Sequence, residues 1–202
     1  DKYTTIVLVS GTYTSVSGAQ AEKISNWLRR GGTLVALGTS SRWLKTQKIS
    51  SIDLRESSTK DIGARIRLPF ADAEDFAALQ KIEGTIFQTE VDLTHPIAFG
   101  LQSKKLPVFR DQTVFLEPSS SPFSTPLVYS DQPLLSGYAS EENVRLAAGT
   151  AAVLVKSEGS GRLIAIPNNP LFRGFWKGSE RLFDNSLFFG GIIRETSSAP
   201  TD

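Results

Sequence analysis

Apolar residues run together in short bursts near the start of the chain and scatter at helical spacing between them. Thr5-Ile6-Val7-Leu8-Val9 is a β-branched burst closed by Ser10-Gly11, the pattern of a strand buried on both faces. From Ala19 to Arg30 the apolar positions Ala21, Ile24, Trp27 and Leu28 share one side of a helix. Ser17 is placed to cap that helix and Gly31 to end it. Gly32 leads into a second burst, Thr33 to Leu37, so strand, helix and strand predict a βαβ unit with parallel pairing. The turn Gly38-Thr39-Ser40-Ser41 then opens another helical segment through Trp43-Leu44. In open α/β sheets ligands collect beyond the carboxyl ends of strands, which makes this turn the first place to look for chemistry.

Further along, the pattern is more broken. Residues 51–60 are polar, Ile62 to Phe70 predicts an extended segment and Ala73 to Ile82 a helix. Thr85 to Val91 alternates like a half-buried strand. Leu106 to Arg110, Thr113 to Leu116 and Leu127 to Ser130 predict short strands, and Glu141-Glu142-Asn143 starts a helix. Thr150 to Lys156 and Arg162 to Ile166 flank Ser157-Glu158-Gly159-Ser160-Gly161, a hairpin signature. Arg181 to Ile193 predicts a last amphipathic helix. A parallel start with later hairpins points to a mixed sheet flanked by helices.

Composition narrows the function classes. The 202 residues carry a net charge of +1, with no basic footprint for nucleic acid. No apolar run approaches the ~18 residues of a membrane span. With no cysteine there is no thiol nucleophile, disulfide or thiolate metal site, and a single histidine, His95, cannot assemble a zinc site alone. The missing initial Met and the polar stretch 195–202 suggest a domain over 1–194 followed by a tail or linker stub, cut from a longer protein.

The order of several motifs resembles known families. Strand-Ser10-Gly11, the Gly31 to Gly38 stretch and Thr94-His95-Pro96-Ile97-Ala98-Phe99-Gly100-Leu101 resemble class I glutamine amidotransferase-like domains. Leu106-Pro107-Val108-Phe109-Arg110, Leu135-Ser136-Gly137-Tyr138, Asn168-Asn169-Pro170-Leu171-Phe172-Arg173-Gly174 and Ser179-Glu180-Arg181-Leu182-Phe183-Asp184-Asn185 resemble the C-terminal domain of bacterial zinc-carboxypeptidase-like metallopeptidases. The resemblance implies a flavodoxin-like, three-layer α/β fold with a mostly parallel sheet and a late antiparallel hairpin. It also implies a peptidase domain upstream, which would hold the zinc and be this domain's partner, and a periplasmic or secreted location. No cofactor is expected in the present chain.

The amidotransferase motif Gly-x-Cys-x-Gly corresponds here to Gly38-Thr39-Ser40-Ser41-Arg42, with Ser40 at the nucleophile's place and Arg42 at the second glycine's. The family's His-x-Glu falls near Asn168-Asn169-Pro170, where no imidazole stands. The resemblance therefore implies the fold and argues against the glutaminase reaction.

Two functional candidates remain beside the accessory-domain reading. Ser40 could act as a weak hydrolase nucleophile with His95 as a base, against a simple role in capping the next helix. Arg42, Trp43, Arg110, Tyr138, Arg173 and Trp176 adjoin turns, and with Ser40, His95 and Asn169 they could line a pocket for a peptide C-terminus, another small anion or a glycan. The structural alternatives are arginines paired with Glu90, Glu180 or Asp184, aromatics filling the core, and His95 fixing its His-Pro turn.

Overall fold

The computed structural model describes residues 2–55, 69–121 and 123–194. Its strands are β1 (Thr5–Leu8), β2 (Thr33–Leu37), β3 (Leu54–Arg55), β4 (Thr85–Val91), β5 (Lys105–Arg110), β6 (Phe115–Leu116), β7 (Leu127–Ser136), β8 (Ala151–Glu158) and β9 (Gly161–Ile166). The α-helices are α1 (Ala19–Arg29), α2 (Ser40–Thr46), α3 (Ala73–Leu79), α4 (Glu141–Ala147) and α5 (Glu180–Phe189). The extended segment expected at Ile62 to Phe70 lies outside the described residues except at its end, where Phe70 opens a 3-10 turn. The 195–202 tail also lies outside them. Gly18, at φ 53, takes the cap position of α1 with no side-chain bond, so Ser17 does not cap it.

The main path of the sheet runs β1-β2-β9-β8-β7-β4-β5, with β6 bridging β8 to β3. The early βαβ unit forms as expected, with Thr5 opposite Thr33 in parallel. The parallel part is smaller than the sequence suggested. Only β1, β2 and β9 pair in parallel, and every pair from β9 through β8, β7 and β4 to β5 is antiparallel. β8 joins β9 through the expected tight hairpin, a connection far shorter than the crossover of a dozen or more residues that parallel neighbours need.

Alternation along the central strands builds a core on each face. Leu34, Ala36, Leu154, Leu163 and Ala165 pack with Trp27 and Leu28 of α1 and with Trp43 and Leu44 of α2. Val153, Val155, Ile164 and Ile166 pack on the opposite side with Leu182 of α5 and Ala147 of α4. Period-two side chains on β-strands therefore account for three layers.

Following the pairings, β1, β2, β9, β7 and β5 all point the same way, so their carboxyl ends share an edge. The sheet curls there. Asn169 N, just past β9, donates to Phe109 O of β5 at 3.1 Å, although β8, β7 and β4 lie between these strands in the sheet. At the opposite edge, Thr33 N donates to Thr4 O and the Arg162 guanidinium to Ile193 O, which brings both ends of the described chain together.

Candidate functional site

The turn after β2 has the expected position but a closed surface. Gly38 takes φ 55, and a Cβ there would sit 2.6 Å from Ser10 Oγ. That serine and Thr39 Oγ1 lie 3.1 Å apart, tying the ends of β1 and β2 together. Ser40 begins α2 with no exposure at all. Its hydroxyl proton is shared between Leu37 O at 2.8 Å and Leu8 O at 3.3 Å. Ser40 does not cap α2 through its side chain; Thr39 holds the cap position without a side-chain bond as well. The oxygen is aimed back into the sheet rather than out towards a substrate.

His95 follows its structural reading. Its Nδ1 accepts from Ile97 N at 3.1 Å, capping the 3-10 turn that begins at Pro96. Burial pushes the imidazole below its usual pKa, partly opposed by the charge of Asp92. Asp92 itself is held low by the Thr94 hydroxyl, which donates to it at 2.6 Å, with help from Thr94 N and despite some burial.

The remaining candidates do not converge. Trp43 is buried, donates from Nε1 to Val16 O at 2.8 Å and packs against Tyr13. Arg110 is also fully buried, inside the curl. Its guanidinium lies over the Phe115, Tyr129 and Phe87 rings, at 4.6, 5.0 and 6.0 Å from their centroids. It donates to Tyr129 Oη at 2.6 Å and to Val114 O, while Nε has no partner. Asn169 braces the curl, donating from Nδ2 to Asp111 at 3.1 Å.

Tyr138 is exposed on the loop after β7, beyond Gly137 at φ 86. Arg173 lies over Phe172, which stacks on Phe109 at 3.6 Å, with Phe175 and Trp176 beside them. This aromatic shelf leaves Phe175 exposed, with Phe172 and Trp176 half-buried. Among the described residues none of these arginines pairs with Glu90, Glu180 or Asp184; Lys177 takes Glu180 at 2.9 Å.

Arg42 lines a groove of about 640 Å³ that also involves Lys45, Thr46, Arg55 and Thr113, none of them a site candidate from the sequence. Their signal was present in part: Arg42, Lys45 and Thr46 fall three and four positions apart on one helix face. Arg55 holds Glu117 through two parallel bonds of 2.8 and 2.7 Å and also donates to Leu146 O and Ala148 O. This pairing holds the Glu117 carboxyl below its ordinary pKa against a small opposing effect of burial.

Solved structures with the same arrangement settle the fold. The chain is similar to PurLQS from Thermotoga maritima at 12% identity, covering 94% of this chain and 81% of that one, with a TM-score of 0.53. A ThuA-like protein from Parabacteroides merdae aligns over 99% of this chain and 74% of its own, at 11% identity and a TM-score of 0.51. The chain has a class I glutamine amidotransferase-like fold. It spans 22% of the length of a beta-galactosidase from Bacillus circulans sp. alkalophilus, at 11% identity and a TM-score of 0.49. No protein-family profile and no curated protein matches the sequence. No helix among the described residues is long and apolar enough to cross a membrane, and no three His, Cys, Asp or Glu among them cluster to hold a metal ion.

Proposed function

We propose that this chain is a non-catalytic accessory domain that docks on a companion domain, and that the companion is a zinc-carboxypeptidase-like peptidase. The observation that carries the first half is Ser40. At the place of the amidotransferase nucleophile, its hydroxyl is sealed from solvent and donates to Leu37 O and Leu8 O. A nucleophilic hydroxyl needs an adjacent base and room for the reacting carbon. His95, the one imidazole, spends Nδ1 on Ile97 N. The companion's identity rests on the resemblance of the four later motifs, from Leu106-Pro107-Val108-Phe109-Arg110 onward. In this reading zinc, hydrolysis and a periplasmic or secreted location belong to the companion.

Docking is assigned to the end of α5 rather than to the Phe172–Trp176 shelf. Phe188 and Ile192 are 78% and 70% exposed. Gly190, between them, packs against Thr33, whose N–H donates to Thr4 O of the incoming chain. An upstream domain enters on this side, so these apolar groups are within its reach. Large exposed aromatics mark interfaces when they group together.

The test is calorimetric titration of this domain with the separately produced peptidase domain. We expect saturable binding, weakened at least about tenfold by Phe188→Ser and unchanged by Phe175→Ser. Absence of binding overturns the docking reading. Covalent labelling of Ser40 by a fluorophosphonate, abolished in Ser40→Ala, overturns the non-catalytic one.

A further inference from the structure

We propose that the groove between α2 and the β3–β6 pair binds a small molecule through an oxyanion, a carboxylate or a phosphate. The site is separate from the docking face and from the closed turn at Ser40.

Helix α2 divides its residues sharply. Ser40, Ser41, Trp43 and Leu44 are buried, whereas Arg42, Lys45 and Thr46 are exposed and all three line the groove. The facing wall is formed by Leu54, Arg55 and Phe115, with Thr113 at one end. A volume of about 640 Å³ suits a small ligand, since such sites span roughly 300–1,000 Å³.

The charges in the groove are unbalanced. Arg42, Lys45 and Arg55 line it, and no carboxylate does among the described lining residues. Arg55 is already committed to Glu117 and to the carbonyls ending α4, so it acts as a fixed wall. Among the described residues the Lys45 ammonium makes no hydrogen bond or ion pair. Arg42 spends one N–H on Thr113 O at 3.3 Å, a bond that holds its fork across the groove and leaves the other donors open.

A guanidinium held by a backbone carbonyl and an ammonium one helical turn away form a cationic cradle, beside which the Thr46 hydroxyl is spent on Arg42 O at 2.9 Å. An anion there meets N–H groups of Arg42 and Lys45 with no carboxylate among the described lining residues to displace, and charge-assisted bonds to Arg and Lys are the strong ones. Half-buried Leu54 beside these donors offers apolar cover for part of the rest of the molecule. The cradle is small, and the chain's net charge is only +1, so a compact anion fits it better than a nucleic-acid strand.

The experiment is calorimetric titration of this protein with three probes: inorganic phosphate, acetyl-dialanine with a free carboxylate, and the same peptide amidated. We expect saturable binding of phosphate or of the free acid, and none of the amide. Binding of the free acid identifies a peptide-terminus type of ligand; binding of phosphate alone identifies a phosphorylated one. Arg42→Gln and Lys45→Gln, both at exposed positions, should each weaken binding about tenfold, the loss of one charge-assisted contact. Their folding is checked by circular dichroism. The proposal fails if phosphate and the free acid both bind more weakly than about 10 mM. It also fails if the double variant binds as tightly as the parent, or if the amide binds as well as the acid. None of these outcomes depends on the companion peptidase domain.

Discussion

The two halves of the sheet solve the problem of polar groups in opposite ways. Around β1, β2 and β9 the interior is close-packed backbone, aliphatic side chains and the Trp27 and Trp43 rings, and the Ser40 hydroxyl is spent on carbonyls. Around β4, β5 and β7 the sheet curls over a buried guanidinium that has no carboxylate partner among the described residues. The first half is intolerant of added atoms. The second depends on the shape and donors of one side chain.

The sharpest break of that contrast is Gly161→Ala. A Cβ there would overlap Leu28 O and lie 2.5 Å from Gly32 O, both rigid backbone. Urea denaturation should show a loss of about 3 kcal/mol, the upper range for overpacking. A loss below about 0.5 kcal/mol, as at an indifferent surface site, would mean that the α1–β9 contact is looser than described.

Arg110 tests the other half. Arg110→Lys keeps the charge but replaces the planar fork, so it cannot serve Tyr129 Oη and Val114 O together while lying over three rings. It should cost about 2 kcal/mol, the scale of an unmade bond to a buried charged group. Arg110→Met fills similar space without burying a charge and should cost less. If Lys is better tolerated than Met, the cation itself holds the curl.

The smallest effect concerns the link between β4 and β5. His95→Ala removes the Ile97 N acceptor and should cost about 1 kcal/mol near neutral pH, as other caps do. His95 is kept neutral in the fold, with its pKa below the ordinary 6.5. The unfolded chain therefore takes up a proton first as pH falls through about 6.5. Stability should drop from there down to the lower folded pKa and then level off. That acid-side drop should be absent in His95→Ala, read from urea midpoints against pH.

Legibility in the sequence follows the same division. The early strands could be read because their partner comes one helix later and their apolar runs end in glycines. The β8–β9 hairpin was equally visible, since its turn residues are local. The curl was not, because it rests on contacts such as Asn169 N to Phe109 O between residues far apart in the chain, although β6 falls within the strand expected at Thr113 to Leu116. For Arg110 a signal was present and passed over. Leu106, Val108 and Arg110 alternate inward along β5, so period two alone places the arginine in the core. The turn at Ser40 was located from its glycines, but whether its hydroxyl faced a ligand or a carbonyl depends on how closely Leu8 and Leu37 approach. No pattern of residue types encodes that distance. The groove was half readable, as one face of α2; its opposite wall comes from β3 and β6.

The central place of β9 has a consequence for the newly made chain. Thr33 pairs with Arg162, so β2 meets one of its two neighbours only after the intervening residues have been synthesised. Until then the amino-terminal βαβ unit presents a bare apolar strand edge, open to wrong pairing with other chains. Contacts so far apart in sequence also slow folding, because the loop must close before the pairing rewards it. A ribosome paused before residue 161 therefore carries a half-sheet whose unsatisfied edge a chaperone must shield.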